Sequence, residues 1–287
     1  GCFRPFSGRK GKSNRYAGKL LRYTYYFLVR NPIYYIMSFF IFVPNSCTNT
    51  NLNMKKKSLN QCLLLMFICS VCFAGETYAQ KKDFGNLERY AKDNAALPSV
   101  TKKDKRVVFL GNSITEGWVR THPDFFKANG YIGRGIGGQT SYQFLLRFRE
   151  DVIKLSPSLV VINAGTNDVA ENTGPYNEDY TFGNIVSMVE LAKANHIKVI
   201  LTSVLPAASF KWNQAITDAP QKIEALNARI EAYAKSNKIP FVNYYGPMVV
   251  SADKSLNSAY TQDGVHPTPA GYDVMERLIK AVVEKER

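Results

Sequence analysis

Three residues in this chain have the types to make an activated nucleophile: Ser113, and an aspartate and histidine three apart at Asp263 and His266. A serine hydroxyl is a weak nucleophile until a base takes its proton, and the base works best when a carboxylate fixes its tautomer. The run Asp263-Gly264-Val265-His266 can supply both, with the carboxylate reaching Nδ1 and Nε2 left to face a serine. The other two histidines have weaker contexts. His122 lies in a polar loop entering a helix (RTHPDFF), and His196 at a helix end (KANHIKV), where a basic group suits the dipole. There is no HExxH or paired-histidine motif, so the reading carries no catalytic metal and no cofactor.

Ser113 follows four apolar residues and Gly111-Asn112, which leaves two readings open: an ordinary strand-to-helix turn, or a serine held at a sheet edge for chemistry. Three other loops share its setting. Asn163-Ala164-Gly165-Thr166-Asn167-Asp168 follows a second apolar run, GRGIGGQT (133–140) follows an extended piece around Tyr131, and the Asp263–His266 turn precedes the last helical pattern. Taken singly, Asn167 closes an Asx-turn as readily as it serves a site, and the glycine loop lacks the spacing of a dinucleotide fingerprint. A tetrahedral oxyanion, however, needs several donors aimed at one point, and four loops on one rim meet that need.

The elements that must position these loops alternate. Residues 107–110, 159–162, 199–204 and 241–243 read as strands, mostly unbroken apolar runs of the kind found where a parallel sheet is covered on both faces. Residues 141–154, 182–195, 220–236 and 269 to about 284 read as helices, the last with a Thr268 N-cap hydroxyl and Pro269 in its first position. The pattern predicts an α/β fold: a doubly wound, flavodoxin-like parallel sheet sandwiched between helices, with ligands at the carboxyl ends of the strands. Ahead of it, residues 80–105 read as a short amphipathic helix (Phe84, Leu87, Tyr90, Ala91) on the outside of the domain, then a polar connector.

The net charge of +14 argues for a nucleic-acid or membrane partner only if it is spread evenly. It is not: residues 1–79 hold 11 of the 37 basic residues and one of the 23 acidic ones, leaving 26 against 22 in the rest. No nucleic-acid partner is therefore expected. All five cysteines also precede residue 80, so the compartment has to be read from a targeting signal. Residues 54–79 provide one, with a basic head after Met54, an apolar run centred on 63–73, and Thr77-Tyr78-Ala79 before Gln80. Cleavage near Ala79 and a periplasmic or secreted product, with no membrane span afterwards, are expected. Residues 1–53 are read as a non-native upstream extension that does not fold, with Met54 the true start.

Four segments, FLGNSITEGW, GRGIGGQTS, NAGTNDVA and DGVHPTPAGY, resemble in order and spacing the four sequence blocks of the SGNH hydrolases, also called the GDSL-like lipase/acylhydrolase family. The resemblance covers the chain from about residue 107 to its end. It implies that Ser113 is the nucleophile and that Asp263 and His266 complete its triad. It further implies that the N–H of Ser113, the N–H of Gly138 and the side-chain amide of Asn167 form the oxyanion hole. Two departures stand out: Asn112 where the family name expects aspartate, and Gln139 where acidic residues are frequent, neither expected to touch a catalytic atom. No G-x-S-x-G elbow surrounds Ser113, unlike an ordinary α/β-hydrolase.

Two loops are placed to wall such a site, and both mix aromatic with polar residues: Tyr176 and Tyr180 in one, Phe210 and Trp212 in the other. That mix suits a sugar face, and no long apolar insertion is available to sheathe a fatty chain. The expected activity is removal of small acyl groups, foremost acetyl, from carbohydrate. Lysophospholipase or aryl esterase activity and a non-catalytic glycan-binding module are the alternatives.

Overall fold

A computed structural model of the chain describes residues 83–101 and 105–287. The expected signal peptide and upstream extension lie outside the described residues. In chain order the elements are α1 (Ala91–Ala95), β1 (Val107–Gly111), α2 (Ser113–Thr121), α3 (Pro123–Asn129), β2 (Tyr131–Gly135), α4 (Ser141–Asp151), β3 (Leu159–Ile162) and α5 (Thr166–Val169). There follow α6 (Glu178–Ala194), β4 (Lys198–Thr202), α7 (Ala219–Ser236), β5 (Phe241–Val242), α8 (Tyr245–Met248) and α9 (Pro269–Glu286), with short 3₁₀ turns at Leu87–Tyr90 and Ile153–Leu155.

The five strands form one parallel sheet in the order β2-β1-β3-β4-β5. Successive side chains of a strand point to opposite faces, and both faces here are covered. Val108, Leu110, Val160, Ile162 and Leu201 pack against Phe144 and Phe148 of α4, Ile185 and Met188 of α6, and Leu226 of α7. Val107, Phe109, Val161 and Ile200 pack against Ile114 and Trp118 of α2, Phe126 of α3, and Met275 and Ile279 of α9. This two-sided burial is why the central strands carry no polar alternation. The register aligns Leu110 with Arg134 and Ile162, so the carboxyl ends of β1, β2 and β3 open onto one rim.

The expected strands form close to their predicted bounds, and the piece around Tyr131 is a full strand, β2. α6 begins a turn earlier than its pattern suggests, because the Asn177 side chain accepts the Tyr180 N–H and Glu178 and Asp179 suit the helix N-terminus. At α9, Pro269 stands in the first turn as read, but Thr268 makes no side-chain cap, its hydroxyl pointing to the Ala259 carbonyl oxygen at 3.5 Å. The segment ahead of β1 also differs from its reading. Only Tyr90 of the four apolar positions is buried, and Phe84 and Leu87 are exposed.

Among the described residues no helix is long and apolar enough to cross a membrane.

Candidate active site

β1 runs directly into Asn112, whose Oδ1 accepts the Ile114 N–H at 3.0 Å, so the side chain caps α2 and Ser113 becomes its first residue. The asparagine thus keeps the turn's hydrogen bond without an aspartate. An N–H in a helix's first turn has no intrahelical acceptor, and the N-terminal end of the helix is favourable for negative charge. β2 presses against this turn from the side: a Cβ on Gly135 would stand 2.2 Å from the Glu116 N and 2.6 Å from the Asn112 O. Only glycine lets the two backbones approach so closely.

Across the rim, His266 Nε2 lies 2.8 Å from Ser113 Oγ, and its Nδ1 lies 2.7 Å from Asp263 Oδ2. The short turn holding the pair is tied by its own polar groups. Asp263 Oδ1 accepts the N–H groups of Val265 and His266, and Thr261 Oγ1 donates to the His266 carbonyl and accepts the Gly264 N–H. Partial burial pushes the Asp263 carboxyl up, but the His266 N–H, the His266 ring and the Val265 N–H outweigh it and hold the group at about 2. A carboxyl depressed from 3.8 stabilises the fold above that pH and loses the contribution as pH falls towards about 2. The gap in melting temperature between the parent and Asp263→Asn should accordingly be widest above pH 3.8 and shrink towards pH 2 in a thermal-melt series. A gap independent of pH would contradict it.

The third loop turns at Gly138, where φ is +75°. Asn167, buried in α5, donates one amide hydrogen from Nδ2 to the Gln139 carbonyl at 2.9 Å. A carboxamide has a second hydrogen to offer, and this bond fixes where it points. Gln139 therefore does touch a candidate oxyanion donor, contrary to the sequence reading, and it does so through its main chain, which any residue type would supply. Asn172 Nδ2 holds the Gly138 carbonyl at 3.0 Å. The Gly138 N–H has no hydrogen-bond partner among the described residues.

Two buried charged groups that sequence reasoning missed hold this rim together. Arg147, fully buried on α4, donates to Gln139 Oε1 (2.6 Å), the Arg134 carbonyl (3.0 Å), the Gly111 carbonyl (2.8 Å) and Asp151 Oδ2 (2.9 Å). It joins the ends of β1 and β2 to the glycine loop. Asp168 accepts the Ser141 N–H and hydroxyl and the Thr181 hydroxyl, anchoring the start of α4. Burial raises its carboxyl above the ordinary range in spite of those donors. A sequence signal exists for Asp168, which directly follows Asn167; for Arg147 there is none.

The four aromatic candidates separate. Trp212 is half exposed, its ring 6.3 Å from that of His266 and its Nε1 donating to Asn172 Oδ1 at 2.9 Å. Phe210 is fully buried and packs tilted behind Trp212, the ring centroids 5.2 Å apart, so it supports the indole and has no face to offer a substrate. Tyr176 packs on the core with its hydroxyl buried, and Tyr180 is largely exposed on α6. Both loops carry aromatics, then, but only Trp212 stands beside the histidine.

His122, Asp273 and Glu276 form the cluster with metal-ligand spacing among the described residues. Glu276 Oε1 there accepts the Trp118 Nε1–H at 2.9 Å and pairs with His122 Nδ1 at 2.7 Å, a polar brace between α2 and α9 that includes neither Ser113 nor His266.

A parallel α/β sandwich whose strand-end rim brings a serine, a histidine and an aspartate into hydrogen-bond sequence has the groups for acyl transfer, and the family comparison narrows this to esters. The chain belongs to the GDSL-like Lipase/Acylhydrolase family, whose model matches residues 109–274, and it is a carboxylic ester hydrolase. A solved GDSL-like lipase from Bacteroides thetaiotaomicron is 78% identical and superposes with a TM-score of 0.70, covering 71% of this chain and 99% of that one. Esterase TesA of Pseudomonas aeruginosa is 27% identical over 165 residues, 56% of this chain and 75% of its own. An acetylxylan esterase from Geobacillus stearothermophilus, 20% identical, shares the fold with a TM-score of 0.52 over 62% of this chain and 94% of its own.

Proposed function

We propose that the chain is a serine esterase in which Ser113 attacks the ester carbonyl, His266 acts as base and then as acid, and Asp263 fixes the imidazole. The observation that carries this is the unbroken run of contacts from Ser113 Oγ to His266 Nε2 and from Nδ1 to Asp263. His266 takes the hydroxyl proton as the Oγ–carbon bond forms, then returns it to the leaving alcohol as the acyl-enzyme appears; water repeats the cycle. The N–H groups of Ser113 and Gly138 and the second amide hydrogen of Asn167 receive the oxyanion.

The acyl group is small, foremost acetyl, and the alcohol is a carbohydrate. Trp212 supports this reading: an exposed indole beside the histidine that protonates the leaving alcohol is placed to stack on a sugar ring, with Asn172 at its edge for hydroxyls. The site works outside the cytoplasm if residues 54–79 are a cleaved signal. Hydrolysis of p-nitrophenyl esters from acetyl to decanoyl, beside Ser113→Ala, tests the acyl length. A steep fall beyond propionyl supports the proposal, while a maximum at long chains moves the substrate to lipids. Trp212→Ala should raise KM for an acetylated oligosaccharide by about 1 kcal/mol, roughly five-fold, and leave kcat on ring-free vinyl acetate near the parent's. Equal effects on both substrates would remove the sugar platform.

A further inference from the structure

Four hydrogen-bond or ion-pair links tie residues 84–90 to the loop that carries Gly138 or to its flanks in β2, α4 and α2, and all of residues 83–95 precede residues 109–274, which the family model matches. Gln139 Nε2 donates to the Gly85 carbonyl at 3.0 Å, Gln143 Nε2 donates to the Phe84 carbonyl at 2.8 Å, and the Tyr90 hydroxyl donates to the Gly135 carbonyl. The fourth link is an ion pair, Arg89 to Glu116 Oε1 at 3.2 Å, and Glu116 Oε2 in turn accepts the Gly137 N–H at 2.9 Å. We infer that residues 83–95 are a positioning strap for the oxyanion loop, with the Arg89–Glu116 pair, through the Gly137 N–H, setting the aim of the Gly138 N–H. The inference rests on the proposed roles of Ser113 and Gly138.

Adjacent glycines are the least restrained pair a chain can contain, so Gly137-Gly138 keeps a fixed aim only if neighbours hold it. Glu116 holds it on the side of the serine: a Cβ at Gly137 would lie 3.1 Å from Glu116 Oε2 and 3.8 Å from the Ser113 Cβ. A carboxylate on the serine's side of this loop opposes a developing oxyanion, and Arg89 offsets that charge while fixing the side chain. The arginine is itself located by Tyr90, over whose ring its guanidinium sits at 4.9 Å. The pair is substantially exposed, with side chains 44% and 34% accessible, so it adds little to folding stability. Its effect should fall on the transition state, where donor aim matters most, and not on ground-state binding.

The test compares the full chain with Arg89→Ala and Arg89→Lys on p-nitrophenyl acetate, with Ser113→Ala as the blank and melting temperature measured throughout. Arg89→Ala should lower kcat on the order of ten-fold, leave KM within about two-fold and barely move the melting temperature, with Arg89→Lys restoring part of kcat. A boronic acid that forms a tetrahedral adduct on the serine should bind Arg89→Ala more weakly by a similar factor. Turnover in the parent with kcat of Arg89→Ala within two-fold overturns the strap role alone. A fall in kcat that follows a large drop in melting temperature, without rescue by lysine, also overturns it, as a merely structural contact. No Ser113-dependent turnover in the parent overturns the esterase mechanism and the strap together.

Discussion

Ser113→Ala is expected to hydrolyse p-nitrophenyl acetate about 10⁶-fold more slowly than the parent, and His266→Ala to lose nearly as much. The double variant should be no slower than either single one. The reason lies in the 2.8 Å contact between Oγ and Nε2: without the base the hydroxyl stays protonated, and without the hydroxyl the base has nothing to activate. Each residue is useful only through the other, so the two losses cannot multiply. Single-turnover rates of the three variants measure this directly. Losses that multiply, or an Ser113→Ala enzyme within ten-fold of the parent, would contradict the triad.

Asn167 carries the second large expectation. Asn167→Ala should lower kcat by ~10² to 10³, equivalent to about 2.7 to 4 kcal/mol of barrier, with KM close to the parent's. Asn167→Asp should be slower still, because a carboxylate there repels the negative charge that the amide is placed to receive. Asn167 also donates to the Gln139 carbonyl, so either substitution releases the glycine loop as well, and the loss should sit at the upper end. Steady-state kinetics on a small acetate ester distinguishes the outcomes, and parental kcat in both variants would remove Asn167 from the oxyanion hole.

Much of this site was legible in the sequence because each of its four loops follows or faces a strand end. β1 and β3 were plain, since burial on both faces demands unbroken apolar runs. β2 was harder. Its sequence, Tyr-Ile-Gly-Arg-Gly, has glycine at two of five places, because a Cβ at Gly133 would strike Val119 and one at Gly135 would strike the serine turn. The strand-to-helix turn at Ser113 was read, but α2 was not among the helices expected; Thr115 and Gly117 weaken it locally, and burial of Ile114 and Trp118 overrides that weakness. The strap escaped notice for another reason. Three of its four links end on main-chain carbonyls, of Phe84 and Gly85 in the segment and of Gly135 in β2, which leave no mark on residue type. Tyr176 and Phe210 misled because an aromatic in a polar loop is as often the loop's own anchor in the core as a ligand's platform.

The buried guanidinium of Arg147 bears on how this enzyme can diversify. It binds β1, β2 and the glycine loop at once, so a substitution on that wall is felt by all three. The wall formed by 171–177 and 208–217 has no such shared hub: Phe210 and Ile216 anchor it in the core, and separate side-chain bonds tie its edge, Trp212 to Asn172, Asn172 to the Gly138 carbonyl, Thr173 to Thr140 and Asn213 to the Ala170 carbonyl. Random libraries at the exposed positions of 208–217 and 171–177, with Asn172 and the buried Phe210 and Ile216 kept, should therefore yield altered substrate preference in active clones, while libraries across 133–147 should yield mostly inactive ones. New specificities in this lineage have one wall on which to arise.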